Sequence, residues 1–181
     1  MAEFLYEFYL SLARFLKFIG VYAMMGFLCL LSLVQIPLLN MGDARQGLIV
    51  AGLYFWLIYR PALWPVWLIF ILGLVLDLAG SGLAGLNAFS FLGLALIIRG
   101  QRRFLLGQPW HMIWAGFVVA MTCLHLFQSL IFAMTEAKLP DLWFLAANIL
   151  ISSLFYPFFH PLFMAYHRYL SEDRQEYNEI K

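Results

Sequence analysis

Apolar residues in this chain run in long stretches instead of alternating with polar ones, which is the pattern of helices surrounded by hydrocarbon rather than of half-buried strands. Bounded by charge, proline or glycine clusters, these stretches fall at 18–39, 47–59, 62–79, 84–98, 110–134 and 142–167. A helix needs about 20 apolar residues to cross a hydrocarbon core about 30 Å thick. The pattern therefore predicts an all-α integral membrane protein, a compact bundle of six transmembrane helices. The second stretch is short, reaching only about 20 Å. Arg45 and Arg60 at its ends can snorkel to the interfaces and let it cross. The other reading makes 47–79 one span plus a re-entrant turn.

Composition strengthens the assignment. Of 181 residues, 64% are hydrophobic and 12% charged, against about 45–50% and 25% in soluble domains. Six spans with short connections fill the chain, so a separate soluble domain is not expected. A net charge of +1 offers no basic surface for nucleic acid. Cys29 and Cys123 sit inside apolar runs, where free thiols act as small hydrophobes, so neither a disulfide nor a metal site is expected. Arg14 and Lys17 before the first run resemble a secretory signal, but no small-residue cleavage site follows, and the run is expected to stay as an anchor.

Charge placement orients the bundle. With the N-terminus inside and six crossings, Arg14, Lys17, Arg60, Arg99, Arg102, Arg103, Arg168, Arg174 and Lys181 fall on the cytoplasmic side, leaving only Arg45 and Lys138 outside. Five crossings would move the Arg99, Arg102, Arg103 cluster outside, against the positive-inside bias. Both termini are thus expected in the cytoplasm. Three regions follow: a cytoplasmic or interfacial segment at 1–17, a membrane domain at 18–167 and a charged tail at 168–181. Phe4, Leu5, Phe8 and Leu12 recur with helical spacing, so 1–14 reads as an interfacial helix feeding the first span or as a frayed terminus.

Polar residues within the predicted spans are few. Gln35, Asp77, Asn87, Cys123, His125, Gln128, Asn148, Ser152, Ser153 and His160 are the candidates for chemistry. His125, His160 and His167 lack the i, i+3 or i+4 pairing of a metal site. Ser81, in Gly-Ser-Gly, lacks the context of a nucleophile elbow. No catalytic set, cofactor or metal is expected. His125 and Gln128 suit interhelical hydrogen bonds. Pro157 and Pro161 flank His160 and predict a kink in the last helix. Phe18, Tyr22, Phe27 and Leu30 on the first span read as lipid contact or as an intramembrane interface.

The segment around Asp77 stands out. One carboxylate interrupts an apolar run and is followed by Gly80, Gly82 and Gly85. An acid at the centre of a membrane helix costs about 2.5–3.5 kcal/mol on insertion scales, so its presence calls for a packing or functional reason. In the six-span topology Asp77 lies in the last turn of the third helix, near the outer interface. From there it can reach across the turn to the free N–H groups at the start of the fourth helix. A structural clasp is the preferred reading; partner binding and proton carriage are the alternatives.

Leu53-Tyr54-Phe55-Trp56, Gly73, Leu76-Asp77-Leu78, the glycine and serine turn, Gly85-Leu86-Asn87-Ala88, Tyr156-Pro157 and Pro161 together resemble the MreD family of rod-shape-determining membrane proteins. The resemblance spans about residues 45–168; where the family often opens its second span with Arg-Pro, this chain has Arg45-Gln46. It implies a non-enzymatic component of the bacterial elongasome, or Rod complex, in the cytoplasmic (inner) membrane. The implied partner is MreC, and through it MreB, RodA and penicillin-binding protein 2. The family also resembles in fold the substrate-binding S components of vitamin uptake transporters, which supplies the alternative function. Those components dock through an Ala-xxx-Ala face in the first span, whereas 18–39 contains only Ala23.

Overall fold

The computed structural model describes residues 2–33, 46–80, 83–136 and 142–179, with side chains at 16–33, 46–80, 83–135 and 142–170. Within these residues the chain is all-helical, without strands. Its helices are α1 (Ala2–Leu33), α2 (Gln46–Tyr59), α3 (Val66–Ala79), α4 (Leu86–Leu106), α5 (Trp110–Glu136) and α6 (Leu142–Glu179), with a 3-10 turn at Pro61–Leu63. Three of them, α1, α5 and α6, are long and apolar enough to cross a membrane, while α2 and α3 are apolar but shorter. The positions Gln35, Arg45, Ser81, Gly82, Lys138 and Lys181, and the 34–39 end of the first predicted span, lie outside the described residues.

Helix α2 forms the axis. Every residue from Gly47 to Ile58 is buried, as expected of a helix that is apolar all round, and α1, α4, α5 and α6 pack around it. Its small residues set the spacing. A Cβ on Gly47 would lie 2.8 Å from the Ser152 backbone of α6, so these two helices touch almost backbone to backbone. Tyr54, Phe117 and Tyr156 pack ring against ring between α2, α5 and α6, with centroids 4.9–5.4 Å apart, and Phe55 packs on Phe163 of α6 at 5.3 Å. The outer faces are apolar instead of charged: Phe27, Leu30, Leu78, Leu96, Val119, Leu150 and Phe158 are all exposed.

Several boundaries differ from the sequence reading, each for a local reason. Helix α3 begins at Val66, not 62, because Pro65 disfavours helical backbone at Trp64, and Pro61–Leu63 forms a separate turn. Helix α4 continues to Leu106, past its arginines. Residues 2–14 form the first turns of α1, on the same helix as the first span, and α6 carries the charged residues on to Glu179. It also runs on through Pro157 and Pro161.

Proline 157 has a visible compensation. A proline leaves the carbonyl four residues earlier without its helical donor. That carbonyl, Ser153 O, instead accepts a hydrogen bond at 3.0 Å from Nε1 of Trp114 on α5. Trp114→Phe is expected to destabilise the bundle by about 1–2 kcal/mol. In a Pro157→Ala background, where the helix supplies its own donor, the same change should have a smaller effect. A double-mutant cycle of unfolding in detergent reads the coupling, and additive losses would exclude it.

Candidate functional site: the α3–α4 turn

Gly73 and Asp77 are four residues apart and so share one face of α3. A Cβ at Gly73 would sit 2.4 Å from Cα and 2.6 Å from N of Ala88, so only glycine lets the first turn of α4 rest against α3. This approach brings Asp77, itself buried, up to the start of α4. The chain between them leaves α3 through Gly80, whose N–H donates to Leu76 O at 2.9 Å. It enters α4 through Gly85, at φ +92°, a left-handed conformation that suits residues without a Cβ.

The first N–H groups of a helix have no partner within it. Gly85 has no side chain to serve as a cap, and the Asp77 carboxylate does so from the preceding helix. Its Oδ2 accepts from N–H of Gly85 at 3.0 Å and of Ala88 at 3.2 Å, and its Oδ1 from N–H of Asn87 at 3.0 Å. Leu86 N–H donates to Leu83 O, and Phe89 N–H makes the first helical bond, to Gly85 O. Every N–H from Gly85 to Phe89 is therefore satisfied. A negative charge opposes the dipole at the end of α3 but is favoured at the start of α4, where these hydrogen bonds also form.

Asn87 extends the arrangement to a third helix. Its Oδ1 accepts from Nε2 of Gln128 on α5 at 2.9 Å, which fixes the orientation of both amides. Asp77, Asn87 and Gln128 thus tie α3, α4 and α5 together at one end. His125 turns instead toward α6, where its Nε2 lies 3.5 Å from Ser152 Oγ. The predicted neighbours on α5 therefore serve different helices. The Ser152–His125 pair has the residue types of a nucleophile and base, but Ser152 is fully enclosed and Gly47 packs directly on it. No room is left beside its hydroxyl for the reacting atom such chemistry requires.

A second clasp closes the opposite end. Arg102 Nε donates to Ile58 O in the last turn of α2 at 2.6 Å, and Arg99 Nη2 donates to Trp64 O. Tyr22 of α1 donates to Leu63 O at 2.8 Å, and Tyr166 of α6 to Lys17 O at 2.8 Å. Charge and hydropathy alone read Arg99 and Arg102 as the end of a span. Their i, i+3 spacing was the available sign that both face the same neighbour.

His160 packs against Phe55 and Tyr156, and its Nε2 is enclosed without a hydrogen-bond partner among the described residues, as is the Tyr156 hydroxyl. Cys29 is buried, Cys123 is exposed, and both thiols are free. Among the described residues no three His, Cys, Asp or Glu side chains gather as metal ligands. Comparison with protein-family models, curated proteins and solved structures finds no match.

Proposed function

We propose that this chain is a non-enzymatic membrane scaffold of the MreD type, a six-span protein of the bacterial inner membrane with both termini in the cytoplasm. It binds MreC within the bilayer and so helps direct lateral peptidoglycan synthesis by RodA and penicillin-binding protein 2 along MreB. The observation that carries this reading is the engagement of the Asp77 carboxylate by three backbone N–H groups of α4. The motif on which the family resemblance rests is occupied in holding helices together, as suits a rigid scaffold. The apolar outer faces, including Tyr22, Phe27 and Leu30 of α1, supply surface on which a partner helix can pack.

Affinity purification of the tagged chain from its native membranes tests the proposal. MreC or a wall synthase is expected to co-purify, and depletion of the chain is expected to round the cells. Recovery of an ATPase transporter core, or tight binding of a vitamin by the purified protein, would replace the scaffold with an uptake component. Unchanged rod shape after depletion would also count against it.

A further inference from the structure

We propose that the arginine-bearing end of the bundle binds the phosphate of an anionic phospholipid headgroup, held by Arg102 and Arg103 of α4 beside the 60–65 connection. The inference rests on the membrane placement of the proposed function, but not on its partner. Lys17, Arg60, Arg99, Arg102, Arg103 and Arg168 all lie at this end. The contacts that bring them there are Lys17 with Tyr169, Arg60 following the last residue of α2, Arg99 with Trp64, and Arg102 with Ile58. Arg103 and Arg168 are the chain neighbours of Arg102 and of His167, which packs on Tyr59. The acids nearest to this end along the chain, Glu172, Asp173, Glu176 and Glu179, follow Arg168 on α6 and not the arginines of α4.

Arginine carries five N–H donors in a planar fork that matches two phosphate oxygens at once. Arg102 uses Nε on Ile58 O, which anchors the guanidinium and leaves Nη1 and Nη2 unenclosed, without a hydrogen bond to any described residue. Arg103, one residue on, is exposed. The depth of these groups is marked by Trp67, Trp110 and Tyr169, which are 63%, 55% and 50% exposed at the same end. Amphipathic rings of this kind sit at the headgroup level of a bilayer. These rings place the Arg102 and Arg103 side chains at the depth of lipid phosphates. An acidic protein segment would match the charge, but the exposed Trp67, Trp110 and Tyr169 mark a lipid interface at this end.

The full chain reconstituted in nanodiscs containing phosphatidylcholine and phosphatidylglycerol, then released for native mass spectrometry, tests the site. Phosphatidylglycerol is expected to be retained over phosphatidylcholine by about five-fold for each arginine engaged, relative to the bulk mixture. Arg103→Gln, which removes no hydrogen bond seen in the fold, should reduce this enrichment, and Arg102→Gln with Arg103→Gln should abolish it. Equal retention of the two lipids, or enrichment unchanged in both variants, would overturn the proposal. So would stabilisation by inorganic phosphate or by a polyglutamate peptide without any lipid preference. Flotation of the chain with phosphatidylcholine vesicles reports membrane placement separately, so loss of the lipid site is distinguishable from loss of the membrane reading.

Discussion

Asp77→Leu is expected to destabilise the protein by about 3–5 kcal/mol, because it leaves three N–H groups without an acceptor at about 1–3 kcal/mol for each one that stays dry. A leucine methyl in place of each oxygen would also press on N–H groups 3.0–3.2 Å away, so the loss combines missing acceptors with close contacts. Asp77→Asn should have a smaller effect. Its single oxygen can still serve Gly85 and Ala88, which share Oδ2, but its NH2 then faces the N–H of Asn87, donor against donor. The predicted order is wild type, Asn, Leu, read as the unfolding midpoint in detergent and as the amount of protein in the membrane. If the proposed scaffold function holds, shape rescue in a depleted strain should follow the same order. If Asn and Leu both abolish rescue while both proteins accumulate normally, the charge has a role that the clasp does not explain.

Gly73→Ala is the second large effect. Its methyl carbon would meet the Cα and N of Ala88 at 2.4 and 2.6 Å, and backbone atoms cannot step aside as a flexible side chain would. Helices α3 and α4 must separate, at a cost of about 3 kcal/mol or more, the upper part of the range for overpacking. The separation also lengthens the Asp77 hydrogen bonds, so the two sites are coupled. Gly73→Ala in an Asp77→Leu background is expected to add less than it does alone, and strictly additive losses would show that the glycine and the carboxylate act independently. Gly52 is the control. Its added Cβ would approach Sδ of Met25 at 2.6 Å, the end of a side chain that can move, and Gly52→Ala should be mild.

The contrast between these positions shows how much the chain discloses before it is folded. The run of apolar residues locates α2 and α5 almost to the residue, because long apolar periods are set by the need to bury or exclude backbone from polar surroundings. Asp77 is identifiable as an exception for the same reason, and the short turn to Gly85 limits what its carboxylate can reach. The sequence does not disclose that α2 is enclosed on every side, since apolar residues suit lipid and protein neighbours equally. It also conceals the Trp114–Ser153 bond, whose partners are 39 residues apart. Pro157 implies a freed carbonyl but does not say which helix supplies the donor. The arginines of α4 mislead in the opposite direction. As charges they suggest a boundary, whereas their hydrogen bonds to Ile58 and Trp64 carry the helix on to Leu106.

The central position of α2 also constrains the order in which the protein is made. As the chain emerges from the ribosome, α3 and α4 can close early, since Gly73, Asp77 and Asn87 are near in sequence and fix their hairpin without outside help. Helix α2 precedes that hairpin; α1 and α4 cover part of it, and the rest of its cover comes from α5 and α6, which are synthesised later. Until they arrive, Tyr54 and Trp56 lack that cover, and on the six-span reading a 14-residue helix, about 21 Å long, must hold its place in a bilayer thicker than itself. Assembly is thus complete only when α6 passes along α2, and chains that stop before Ser152 expose to quality control the very residues that the finished protein hides.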